Sequence, residues 1–204
     1  SLVGLVTKKN FKALQGVCVK AVSAEVFFDN KKITQITDDI LFTHNGISGP
    51  LVYKISSVCA RFDYNIQNPI LIKLDFIQQK INLQELLNSN PKKDIKNLIS
   101  DFVPKSLAEF ILEQNGVAAD EKCCKIDGKK RDLIIKSLTE FEIIVTSPAK
   151  EGEVVTSGGV SLDEINPRTM ESKLVKNLYF CGEVIDVDGF CGGFNLQNCW
   201  STGF

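Results

Sequence analysis

Hydrophobic and polar positions alternate through most of the first eighty residues. Residues 16–28 (GVCVKAVSAEVFF) alternate with β-branched and aromatic side chains, which predicts a strand. Asp29-Asn30 is a turn signal, and Lys31 to Thr37 reads as a returning strand. Asp38-Asp39 reads as a further turn before Ile40 to Thr43. The pattern is that of an antiparallel meander with polar residues facing outward. HNGISGP (44–50) is a dense turn signal, and Pro50 suits the first position of a helix striped by Leu51, Ile55 and Val58. Pro69 to Phe76 predicts another strand.

Between residues 82 and 138 the period changes to that of short helices. Asn82 caps a segment bearing Leu83, Leu86 and Leu87. Asn90-Pro91 is expected to start a second, with Ile95, Leu98 and Ile99. Pro104 opens a third with Leu107, Phe110 and Ile111, closed by Asn115-Gly116, and Asp132 to Leu138 forms a fourth. The lysines of this region read as a solvated face. Phe141 to Thr146 predicts a strand, and Glu153 to Thr156 leads into Ser157-Gly158-Gly159-Val160. Asn166-Pro167 marks a loop. Asn177 to Cys181 (NLYFC) reads as a buried, unbroken apolar strand of the parallel type. A helix is expected from Phe194.

Charge adds little contrast: the net value over 204 residues is -1. That balance shows no nucleic-acid footprint and no polybasic membrane surface, so neither partner is expected. No apolar run is long enough for a bilayer span. Seven scattered cysteines without a C-x-x-C pair fit reduced thiols of a cytoplasmic protein better than disulfides or zinc. No metal site is expected, and His44 is the single histidine.

Four stretches could carry chemistry. NLYFCGE ends an apolar segment in Gly182 and Glu183, where a ligand could approach the backbone and a carboxylate could accept from sugar hydroxyls. GFCGGFNLQNCWSTG places Gly192-Gly193 before a helix whose first N–H groups favour developing negative charge. TSGGV (156–160) offers a backbone wall beside a flat ring. FTHNGISGP (42–50) presents His44, a side chain able to act as acid or base. Each also has a plain reading as a structural turn. No G-x-G-x-x-G or G-x-x-x-x-G-K-[ST] occurs, so the chain shows no pyrophosphate cradle.

Taken together, LFTHNGISGP (41–50), TSGGVSLDEINPRTMESK (156–173) and LYFCGEVIDVDGFCGGFNLQNCWSTG (178–203) resemble the HI0933-like flavoproteins, which include BaiN-like and aminoacetone-oxidase-like NAD(P)/FAD-dependent oxidoreductases. The resemblance implies an α+β fold: a small antiparallel β-barrel with a helical insert, plus the C-terminal strand-loop-helix part of a Rossmann-like FAD domain. The boundaries expected are 1–78 for the barrel part, 79–138 for the insert, 139–155 for the returning barrel strand and 156–204 for the FAD-domain segment. The chain then reads as an internal-to-C-terminal fragment, inactive and unable to hold FAD well by itself, whose last segment packs on another copy or swaps. FAD is the implied cofactor, with NAD(P)H as electron donor and a small molecule as substrate. Gly158, Gly159, Gly182, Glu183, Asp186, Gly192, Gly193, Phe194, Asn195 and Leu196 are the implied cofactor contacts, and His44 the candidate acid or base. The competing expectation is a non-catalytic interaction module with structural glycine loops.

Overall fold

The computed structural model describes residues 2–150, 155–189 and 192–203. The expected strand segment at 153–154, and Cys191 among the cysteines, lie outside these. The chain divides into two compact units, one of Leu5–Leu51 with Tyr64–Ser147, the other of Ser1–Gly4, Val52–Asp63 and Pro148–Phe204.

The first unit is a closed six-stranded antiparallel barrel with helices inserted before its last strand. Its strands are β1 (Leu5–Thr7), β2 (Cys18–Phe28), β3 (Lys31–Phe42), β4 (Gly46–Ser48), β5 (Ile70–Asp75) and β6 (Phe141–Pro148). They run β1-β4-β3-β2-β5-β6 around the barrel. Asp29 and Asn30 both take positive φ, 49° and 61°, as the tight β2–β3 hairpin requires. The turn expected at Asp38-Asp39 does not form: β3 runs straight through it. The irregularity belongs to β2, where Ala21 takes φ 50° and the register shifts between Val19 and Val22. Asp39 holds that bulge by accepting from Ala21 N at 3.0 Å and pairing with Lys20. Alternate residues of the strands fill the barrel: Val22, Ala24, Val26, Ile70, Ile72 and Leu74 are fully buried.

The insert comprises α2 (Leu83–Ser89), α3 (Ile95–Ile99), α4 (Lys105–Gln114) and α5 (Gly128–Thr139). Asn82 caps α2 by accepting from Glu85 N at 3.2 Å. Asn90-Pro91 does not open α3; that helix begins at Ile95 after Asp94, and 90–94 form a turn. α5 is longer than the apolar pattern suggests because Asp127 caps it four residues early, accepting from Lys130 N at 2.8 Å. Phe11 joins the insert to the barrel: its ring centroid lies 5.4 Å from Phe42, 5.9 Å from Phe141 and 6.0 Å from Phe110 on α4.

The second unit holds most of α1 (Pro50–Cys59), then loops, short 3-10 turns and α6 (Phe194–Gly203). Leu2 N donates to Val155 O at 2.9 Å, and Val3 N to the Ser56 hydroxyl at 3.1 Å. Cys59 is fully buried, and that burial pushes its thiol up to about 12. The folded protein keeps this proton while the unfolded chain releases it near pH 9, so the site's stabilisation is complete below that pH and is lost as pH rises toward 12. At pH 8 an alkylating reagent is expected to modify exposed Cys18, Cys124 and Cys181 quickly and to spare Cys59 until denaturant is added. Peptide mass spectrometry after timed quenching checks this; equal rates would refute the burial of Cys59.

NLYFC does not form the expected buried parallel strand. Residues 177–181 make one antiparallel bridge, Glu171 to Tyr179, and Leu178 and Tyr179 stay 41% and 59% exposed. A strand of that type needs parallel neighbours on both edges, and the described residues supply only this antiparallel contact on one. No helix among the described residues is long and apolar enough to cross a membrane.

Candidate functional site

The second unit gathers the glycine segments into one cluster. Val160 and Ile185 form a parallel bridge, with Val160 N donating to Val184 O at 2.8 Å and Asp186 N to Val160 O at 3.0 Å. Gly159 permits this approach: a Cβ there would stand 2.5 Å from Val184 O and 2.8 Å from Asp186 N. The turn at Gly182–Val184 is fastened to α6 by Gly182 N donating to the Thr202 hydroxyl at 2.9 Å. A Cβ on Gly182 would meet Cys199 Sγ at 3.5 Å. TSGGV and CGEVID, twenty-odd residues apart, are thus neighbours, and α6 rises beside them.

Two glycines remain open rather than packed. Nothing lies within 4 Å of the position a Cβ would take on Gly158 or Gly193, and both have positive φ, 95° and 86°. The first bond of the α6 ladder runs from Gln197 N to Gly193 O at 2.9 Å, so the N–H groups of Phe194, Asn195 and Leu196 precede that ladder. Asn195 spends its side chain on the loop: Oδ1 accepts from Gly189 N at 2.7 Å and Nδ2 donates to Gly189 O at 3.0 Å. Its backbone N–H and the second hydrogen of Nδ2 remain as donors. Glu183 and Asp186 are exposed carboxylates at the cluster's edge. The cluster thus offers bare backbone, a helix start and exposed carboxylates at its edge.

Around the cluster lies exposed apolar surface. Phe194, Leu196 and Trp200 are 63%, 69% and 77% exposed, and Leu174 is 73% exposed. A cleft of about 360 Å³ lies between Arg168–Met170, Tyr179–Cys181 and Ser201–Gly203. Arg168 lines this cleft beside Met170, whose φ of 59° is uncommon for a side chain of that size and shows only in the structure.

His44 belongs to the barrel unit. It is exposed in the two-residue bend between β3 and β4, where Thr43 N donates to Gly46 O at 2.9 Å and Asn45 O accepts from Thr7 N at 3.2 Å. Among the described residues no cluster of three or more His, Cys, Asp or Glu could hold a metal ion.

With the geometry established, comparison with known proteins adds the following. The profile of the HI0933-like protein barrel and H2TH domain matches residues 1–152. The ribosomal RNA dihydrouridine synthase of Escherichia coli is 34% identical over 196 residues, 95% of this chain and 46% of the relative. The enzyme of the same name from Haemophilus influenzae is 33% identical over 209 residues, 97% of this chain and 47% of the relative. The 3-dehydro-bile acid delta(4,6)-reductase of Clostridium scindens is 26% identical over 212 residues, 100% of this chain and 51% of the relative. The chain therefore spans about half the length of the curated relatives it matches. These relatives are enzymes of reductive chemistry, as expected. Two expectations fall: a small-molecule substrate and the exclusion of nucleic acid both conflict with relatives that act on ribosomal RNA. The physical error was to read a near-zero net charge as a uniformly neutral surface, when net charge says nothing of how charges are distributed.

Proposed function

The chain belongs to the HI0933-like family through its barrel and H2TH domain, and from that premise we propose that it forms part of a flavin-dependent reductase acting on uridine in ribosomal RNA. The observation that carries this reading is 33–34% identity to two such synthases over nearly the whole chain. The names of the relatives point to one chemical problem. Uridine's C5–C6 double bond is conjugated with its C4 carbonyl, and a 4,6-unsaturated steroid with a 3-oxo group presents the same arrangement. Reduction adds hydride to the β-carbon, leaves negative charge on the carbonyl oxygen and places a proton on the α-carbon.

FAD, when bound, would supply the hydride and be recharged by NAD(P)H. The chain's own residues do the rest. The open backbone at Gly158 and Gly193 would support the ring, and the N–H groups opening α6 at Phe194, Asn195 and Leu196 would stabilise its electron-rich edge. Gly182 packs on Cys199 and Gly192 on Phe194, which sets the turns beside the ring, and Glu183 and Asp186 would accept from the ribityl hydroxyls. His44, exposed on the barrel unit, remains the candidate acid or base.

The intact gene product that carries this chain, purified from its native cells, is expected to show flavin absorbance that NAD(P)H bleaches. Gly159→Ala, whose methyl meets the Val184 carbonyl at 2.5 Å, is expected to displace the 184–186 backbone. Overpacking of that kind costs about 1–3 kcal/mol, enough to weaken flavin retention roughly tenfold or more. A colourless, folded protein would overturn the flavin reading in favour of a non-catalytic module.

A further inference from the structure

The helical insert brings together two segments that are far apart in sequence and rich in the same charge. Residues 90–97 and 119–131 contain eight lysines and arginines against four aspartates and glutamates, in a chain whose net charge is -1. Backbone bonds sew them side by side. Ile95 N donates to Glu121 O at 2.9 Å, Cys123 N to Lys93 O at 3.0 Å and Cys124 N to Pro91 O at 3.2 Å, and Asp94 bridges to Lys122. Buried Ile95 and Cys123 lie under this seam and fix it.

The cations of this face, which also carries the exposed carboxylates Asp120 and Asp127, divide into two sets. Lys93, Lys96, Lys122, Lys130 and Arg131 are held by Asp101, Glu109, Asp94, Glu121 and Asp132. Lys92, Lys125 and Lys129 are exposed and make no ion pair among the described residues. Lys92 and Lys125 lie on adjoining turns through the Pro91–Cys124 bond, and Lys129 stands in the first turn of α5. A lysine in the first turn opposes the helix dipole rather than serving it, so local helix stability does not account for Lys129.

We infer that this face of the insert is a docking surface for the phosphate backbone of RNA, with Lys92, Lys125 and Lys129 as its phosphate contacts. The inference rests on the proposed action on ribosomal RNA and names where that substrate is gripped. Phosphate contacts position a nucleic acid without reading its sequence, so the surface supplies affinity and register while the glycine cluster performs the chemistry. The exposed pairs Lys93–Asp101 and Lys122–Asp94 are weak enough to open, and their lysines can join the contact.

The test is binding of labelled, protein-free ribosomal RNA as a function of salt. The variant K92A/K125A/K129A is compared with K8A/K31A/K150A, which removes three exposed lysines elsewhere. Three lost phosphate contacts should weaken binding about tenfold or more near 0.1 M salt and lower the slope of log K against log salt by roughly two to three. The control variant should match the unsubstituted protein, and K92R/K125R/K129R should restore binding. If RNA binds but both triple variants lose affinity equally, or neither loses any, the docking surface is refuted and the RNA reading survives. If the unsubstituted protein binds no ribosomal RNA, the RNA reading fails and the surface with it.

Discussion

Replacing Gly46 with alanine is expected to strain the closure of the barrel and destabilise the fold. Gly46 pairs with Val6 across β1–β4, and the added Cβ would stand 2.0 Å from Leu5 O and 3.0 Å from Val6 Cα. Both are backbone atoms of the neighbouring strand, so no side chain can swing aside. The strand itself cannot yield cheaply either: β4 has three residues and is the link between β1 and β3, through Leu5–Ile47 on one edge and Phe42–Ile47 on the other. Overpacking usually costs about 1–3 kcal/mol, and a clash with fixed backbone belongs at or beyond the top of that range. For a chain of this size that corresponds to a fall in Tm of roughly 6–12 °C. Circular dichroism during thermal unfolding measures it, and a variant within about 1 kcal/mol of the parent would show that β4 does not lie against β1 as described.

Truncating Phe11 to alanine should be comparably severe by the opposite mechanism. The ring is 1% exposed and packs on Phe42, Phe110 and Phe141, so its removal leaves a void where the barrel meets α4. Losses of this kind cost about 3–5 kcal/mol, because the surrounding aromatic rings cannot collapse fully into the space. Leu133→Ala on α5, where the side chain is 40% exposed, serves as the comparison and is expected to cost about 0.5 kcal/mol or less. Urea titration of the two variants gives the difference directly; similar midpoints would mean that Phe11 does not tie the insert to the barrel.

Features governed by local chemistry were legible in the sequence. Asp29-Asn30 specifies the β2–β3 hairpin, Asn82 caps α2, Pro50 opens α1 and Gly116 ends α4 with φ 65°. Features that depend on distant neighbours were not. β4 is too short to show a period, and Gly46 looked like turn chemistry because the carbonyl it must accommodate belongs to Leu5. The interruption at Asp38-Asp39 was real but belonged to the partner strand, where Ala21 bulges. NLYFC has the composition of a buried parallel strand, yet composition cannot supply the strands that would flank it.

The candidate site divides along the same line. Glycines at 158–159, 182 and 192–193 announced close backbone approach, but only the fold distinguishes those that pack, Gly159 and Gly182, from those left open, Gly158 and Gly193. Asn195 was expected among the cofactor contacts; its side chain clamps Gly189, so the role proposed for it falls to its backbone N–H. The nucleic-acid partner now proposed was not expected because the basic residues of 90–97 and 119–131 are adjacent only after folding, and the chain-wide balance of -1 conceals them. Fold alone would not have corrected this: one architecture hosts many substrates, and the decisive information was similarity to enzymes named for what they act on.

The most direct test of the account is a map of dihydrouridine in ribosomal RNA from cells carrying or lacking the gene for this chain. The proposed function predicts a dihydrouridine present in the parent, absent from the deletion strain, and restored by the unaltered gene but poorly by one encoding Gly159→Ala. A deletion strain whose ribosomal RNA keeps every dihydrouridine of its parent would contradict it.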